Sequence, residues 1–249
     1  ALHQYNLKNR LKLNIDKTKV IIFGNYTRKS AARWNVGNHV VKTAQYYKYL
    51  GVWFNERGSV SKHLKETIKK ANLLTHTLKR LHMKLPSPSL SPIMKVVNVK
   101  FLPALTYGSL AFPGAVTYPV DKAFIKAYKL LLGTKKYARA ARIRGELGLT
   151  SYQFIDMAGV IKYYLTLLRA PTNSFRAMIR IIFSDNGNPW SDYLKKAIQH
   201  LAIVEDTLVN PNIPLIKWRE VLTREAKVNS LVRDILSLGQ SDISLVTNQ

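Results

Sequence analysis

Positive charge is the feature that most limits how this chain can fold. Of its 249 residues, 39 are Lys or Arg and 14 are Asp or Glu, a formal net charge of +25. Self-repulsion of that size opposes compaction. Apolar residues make up 47 % of the chain, so it can bury a core, and wholesale disorder is excluded. The excess points outward, to a polyanionic partner: RNA, DNA or an anionic membrane face. It is also unevenly placed. Residues 1–150 hold 28 basic side chains against 5 acidic, a net of +23, while residues 151–249 hold 11 against 9, a net of +2. The polyanion contact is expected on the first 150 residues, with ordinary helical scaffold after them.

Several function classes drop out. The chain has no cysteine, which excludes disulfides, thiolate zinc sites and a cysteine nucleophile. No apolar run approaches the roughly 20 residues of a membrane span, so no membrane partner is expected. The opening Ala-Leu-His-Gln-Tyr-Asn-Leu-Lys lacks the pattern of a signal peptide. Without an initiator Met it reads as an interior segment or a processed product. An intracellular protein, nuclear or cytoplasmic, is expected. There is no Ser/His/Asp set, Gly-rich phosphate loop or acid pair at catalytic spacing. His63 and His76 have no Cys or carboxylate cluster beside them, so no metal site is expected. Trp34, Trp53, Trp190 and Trp218 read as core residues.

Hydrophobic period divides the chain near residue 58. Before it, Val20–Gly24 is an apolar, β-branched run expected as a buried strand. Gly37-Asn38 suits a tight hairpin between residues 33–36 and 39–42. Tyr46–Phe54 reads as a further strand, completing a small β-meander. After it the period is helical. Ser61 is expected to cap a helix to about Met83, with Leu64, Ile68, Ala71, Leu74 and Leu78 inward. The opposite face holds Lys62, Lys65, Lys69, Lys70, Lys79 and Arg80. Glu66 alone cannot pair with them all, which favours a duplex backbone as the partner of this face. A helix from Ser89 to Ala111, kinked at Pro103, follows. Others are expected from Pro119 to Leu132 and over 151–169, 173–184, 190–209 and 214–238. Lys135, Lys136, Arg139, Arg142 and Arg144 form a second cationic segment. Tyr137 within it suits either base stacking or the core. The expected class is α+β, mainly α: a small antiparallel meander, then a helical bundle. The expected divisions are 1–57, 58–170 and 171–249.

Four short segments, taken in order, resemble one family. Leu11-Lys-Leu-Asn-Ile-Asp-Lys-Thr-Lys-Val-Ile-Ile-Phe23 is similar to the palm segment following the catalytic Asp-Asp pair in non-LTR retrotransposon reverse transcriptases. Leu11, Asn14, Lys17, Thr18 and Phe23 carry that pattern. Tyr49-Leu-Gly-Val52 resembles the primer-grip hairpin, with His63 and Ala71 in the helix that follows. Pro103-Ala-Leu-Thr-Tyr-Gly108 resembles the thumb motif, and Arg144-Gly-Glu-Leu-Gly148 an element further on. The resemblance covers about residues 10–170.

It implies the end of a palm carrying a helical thumb, holding an RNA or RNA–DNA duplex through its phosphates. Lys17 would lie near the phosphates of an incoming nucleotide, as a possible assisting lysine. Tyr49, Leu50 and Gly51 would hold the primer end. Lys19, Lys48, Lys62, Lys65, Lys69, Lys70 and the cations from Lys135 to Arg144 would meet backbone. The family's two-metal chemistry needs converging carboxylates, and Asp16 is the only acid before Lys17. No polymerase activity is therefore expected of this chain by itself. RNA-directed DNA synthesis with Mg would require the rest of a polymerase. A domesticated remnant in a ribonucleoprotein, and a helical adaptor using the near-neutral half to bind protein, are the other readings.

Overall fold

A computed structural model describes residues 2–24, 34–84, 90–135, 137–184, 187–203 and 215–246. Helix accounts for 63 % of the structure and strand for 8 %, so the α+β, mainly helical class holds. After the helix α1 (Leu2–Lys8), the strands form two separate hairpins. In the first, β1 (Trp34–Val36) pairs antiparallel with β2 (His39–Val41) around Gly37-Asn38, as expected. In the second, β3 (Tyr46–Tyr49) pairs with β4 (Val52–Asn55). The chain therefore reverses where residue pattern alone suggested one continuous strand. Leu50 and Gly51 close it with φ of 46° and 88°. A type I′ turn needs two positive φ values, because its twist matches that of the flanking strands.

The expected strand at Val20–Gly24 is reduced to a single parallel bridge, Val20 to Thr43. Among the described residues, its backbone bonds are those of Val20 with Lys42 and Ala44 and of Gly24 with Glu56. The four strands consequently form no continuous meander.

The chain divides into two compact units, Ala1–Glu66 and Thr67–Gln249. The boundary falls inside α2 (Ser61–Lys84), whose extent is close to expectation. The buried positions of α2 differ from the expected apolar line. They are His63, Thr67, Ala71, Thr75 and Leu78, while Leu64, Ile68 and Leu74 are half-buried. Thr75 is accommodated because its hydroxyl donates to the Ala71 carbonyl at 2.7 Å.

The single kinked helix expected over 89–111 is a succession of shorter turns. α3 (Leu90–Val96) runs into a π-helical turn (Val97–Phe101), then α4 (Leu102–Thr106) and a 3-10 turn (Ser109–Ala111). The Leu102 amide donates to Val97 O, five residues back. Pro103 has no amide to offer Val99, and the wide turn absorbs that loss where a regular helix would clash.

α5 (Thr117–Leu131), α6 (Ala140–Leu147), α7 (Tyr152–Leu168), α8 (Phe175–Ser184), α9 (Pro189–His200) and α10 (Leu215–Val246) complete the second unit. α7 is apolar nearly all round, which is the pattern of a central helix. Its Phe154, Met157, Ile161 and Leu165 pack with Trp190, Leu194 and Ile198 of α9 and Trp218 and Leu222 of α10. Helices on both sides of residue 170 thus share one core. Each such side chain contributes about 1.5–3 kcal/mol on burial. A polar node crosses this packing at Asp156. It accepts from Tyr193 Oη at 3.0 Å, Tyr152 Oη at 3.3 Å and the Gly114 amide at 3.3 Å.

Candidate nucleic-acid interface

In the first unit, Asn14 shapes the loop that presents Lys17. Its Oδ1 accepts the Lys17 amide at 3.1 Å, and its carbonyl accepts the Thr18 hydroxyl at 2.7 Å. Asn and Thr are suited to such local closure because their short polar side chains reach neighbouring backbone. The loop is then fixed to the second hairpin: Tyr47 Oη donates to the Lys17 carbonyl at 3.0 Å. Lys17 is exposed beside this anchor. Sequence alone gave no role to Tyr47.

Strand alternation separates the hairpin's side chains onto two faces. Tyr47, Tyr49 and Phe54 share one face, where with Lys19, Ile21 and Phe23 they line an open groove of about 370 Å³. Lys48, Trp53 and Tyr46 share the other. Lys48 lies opposite Trp53 in register, and the Lys62 ammonium sits 3.9 Å from the Trp53 ring centroid and 4.5 Å from that of Tyr46. Lys62 is half-buried and engaged in this cation–π contact, whereas the sequence put it on an open phosphate-facing surface. Tyr49 and Leu50 project at the tip, 60 % and 73 % exposed. Trp34, expected in the core, is exposed, whereas Trp190 and Trp218 are buried as expected.

Along α2, Lys65, Lys69, Lys70, Lys79 and Arg80 are exposed. In the second unit this cationic face adjoins a group of lysines to which the sequence drew no attention. Lys126 of α5 donates to Asn72 Oδ1 of α2 at 3.2 Å. Lys122, Lys126 and Lys129 recur along α5 at spacings of four and three, which places them on one side of the helix. That recurrence, with Asp121 the only acid in α5, was the available signal.

Arg144 is a correction. It was expected to meet phosphate, but it is 7 % exposed and already bound. Its Nε and Nη2 donate to Asp234 of α10 at 2.8 and 2.7 Å, and its Nη1 to Asp121 of α5 at 3.0 Å. The Asp234 hydrogen bond does most to raise the guanidinium's pKa, against the opposing effect of burial. Asp121 also accepts the Tyr152 amide at 2.8 Å, so it serves the first turn of α7 too. Arg144 therefore ties α5, α6 and α10 together. Elsewhere in that segment, Lys135, Arg139 and Arg142 are exposed. Tyr137 is 79 % exposed, which removes it from the core, and the Lys135 ammonium lies 5.9 Å from its ring centroid. Lys136 lies outside the described residues.

Among the described residues, no three His, Asp or Glu side chains come together as a metal site. No described helix is long and apolar enough to cross a membrane. Compared with known proteins, the chain matches no family model, no curated protein and no solved structure.

Proposed function

We propose that this chain is the end of the palm and the thumb of a non-LTR-type reverse transcriptase, and that it holds template–primer duplex by its phosphates. The observation that carries this reading is the joint between the two motifs of the resemblance. Tyr47, from the Tyr-Leu-Gly hairpin, holds the carbonyl of Lys17, from the Asn-x-x-Lys-Thr loop, across 30 residues of sequence. A lysine for phosphates and a projecting hairpin tip for a primer end thereby share one support. The charge of +23 on the first 150 residues and the exposed lysines of α2 supply the long-range attraction. Recognition of this kind reads duplex shape and backbone, with little dependence on base sequence. Polymerisation would need carboxylates from outside this chain.

The test is binding to a recessed RNA–DNA hybrid, titrated against salt. Six phosphate contacts give a log–log slope of about −5. Substituting Lys17, Lys48, Lys65 and Lys69 by Ala should flatten that slope by three to four. Lys62 is left intact because its ammonium is already engaged. A slope shallower than about −2 for the parent chain would overturn the reading.

A second reading rests on α10, where Val228, Leu231, Val232, Ile235 and Leu236 form an exposed apolar stripe. Salt-insensitive capture of a protein partner, without RNA binding, would favour an adaptor.

A further inference from the structure

The β3–β4 hairpin is held from both faces. On one, Tyr47 Oη donates to the Lys17 carbonyl at 3.0 Å. On the other, the Lys62 ammonium lies 3.9 Å from the Trp53 ring centroid and 4.5 Å from that of Tyr46. Trp53 belongs to β4 and Tyr46 to β3, so one side chain from the first turn of α2 engages both strands. Trp53 pairs with Lys48, next to the Tyr49–Val52 pair that closes the hairpin. At about 3.3 Å per residue, the hold lies roughly 7 Å from the Leu50-Gly51 tip.

By spacing, Lys62 stands in one row with Lys65 and Lys69, three and then four residues apart. Lys65 is exposed, but Lys62 is half-buried. Its stem covers ring surface while its ammonium takes the electron-rich faces of the two rings. A lysine engaged in this way adds little to phosphate contact. The backbone alone does not set the hairpin against the helix. Their link, residues 56–60, turns at Gly58 with φ of +69°, where nothing lies within 4 Å of a Cβ position. Side chains must therefore set the angle, and Lys62 reaches across it.

We infer that Lys62 is a positioning residue: it fixes the direction of the Tyr49–Gly51 tip relative to the first turn of α2. The tip then meets a primer end while Lys65 lies along the backbone beside it. This rests on the duplex reading above and gives the chain a preference for strand ends over continuous duplex.

The experiment uses the full chain and two probes, a recessed RNA–DNA hybrid and the same hybrid with both ends closed by loops. The parent chain should bind the recessed probe about fivefold tighter. Lys62→Met keeps the stem and removes the charge. It should abolish most of that preference and leave the salt slope unchanged on both probes. Lys62→Arg should keep the preference, because a guanidinium also stacks on aromatic rings. A slope flattened by about one on both probes would make Lys62 a phosphate contact and overturn the positioning role. A preference that survives Lys62→Met, or is lost equally in Lys62→Arg, overturns it too. Independently of any variant, the Lys62 ε-methylene protons should resonate upfield of those of exposed lysines, shielded by the Trp53 ring; ordinary shifts overturn the contact itself. Equal binding of both probes by the parent chain overturns the inference and leaves duplex binding standing. Binding of neither probe overturns both.

Discussion

Arg144 and Asp234, 90 residues apart, share two side-by-side hydrogen bonds of 2.8 and 2.7 Å. Both groups are almost fully buried. Removing one partner of such a pair leaves an uncompensated charge, at a cost of about 3–5 kcal/mol. Arg144→Ala should therefore lower the urea midpoint sharply. Arg144→Lys should recover little, because an ammonium cannot span both oxygens of Asp234 and also reach Asp121. Measured well below its unfolding transition, where the chain remains folded, neither variant should change the salt slope of hybrid binding. A flattened slope with unchanged stability would restore Arg144 to the phosphate surface.

Leu50 holds a left-handed conformation at φ 46°, which a leucine adopts only under constraint. Leu50→Asn would create Asn-Gly, the favoured pair for this turn. It should raise stability by about 0.5–1 kcal/mol. The same substitution should weaken hybrid binding several-fold if the apolar tip meets the primer end. Denaturation and binding run on one preparation would separate the effects. A gain in stability with no loss of affinity would remove the tip from the interface.

Tyr47→Phe deletes one hydroxyl and its bond to the Lys17 carbonyl. The stability loss should be about 1 kcal/mol. Its larger consequence should be a looser Lys17 loop, read as a lower hybrid affinity. Combining it with Lys17→Ala should add little to the binding loss, since both act through the same lysine.

Asp156 has a raised pKa, chiefly because burial disfavours its charge, with the bonds from Tyr193, Gly114 and Tyr152 opposing the shift. Because the folded pKa lies above the ordinary 3.8, its contribution to stability is fullest below that value. It is lost as pH rises through the folded pKa. Asp156→Asn should flatten this decline, seen as a smaller difference between urea midpoints at acid and neutral pH. Gly114→Ala should disturb the same node. It combines φ of +76° with a Cβ only 2.6 Å from Tyr193 Cε2. A cost of about 3 kcal/mol is expected.

What the sequence made legible was local. Gly37-Asn38 marks its hairpin because the turn chemistry lies within two residues. Ser61–Lys84 is visible from its period, and α7 from its nearly unbroken apolar run. Val20–Gly24 misled because a β-branched run states a preference, while a strand also needs partner backbone along its length. Arg144 misled for a related reason. It sits among surface cations in sequence, and the aspartates that neutralise it lie 23 and 90 residues away. The lysines of α5 were passed over because each, read singly, is an ordinary solvated charge; their spacing of four and three, which sets them on one side of the helix, was the signal.

The π-helical turn at Val97–Phe101 behaves as a one-residue insertion that the helix has absorbed without breaking. Each residue of an α-helix turns the chain by about 100°. Everything beyond the turn is therefore rotated by about that amount relative to an uninterrupted helix. Deleting one residue there would restore regular helical winding and still leave Pro103-Ala-Leu-Thr-Tyr-Gly108 intact as a string of letters. The motif would keep its present direction, because the wide turn already offsets the extra residue; forcing the turn into regular helix without the deletion would swing the motif by about 100°.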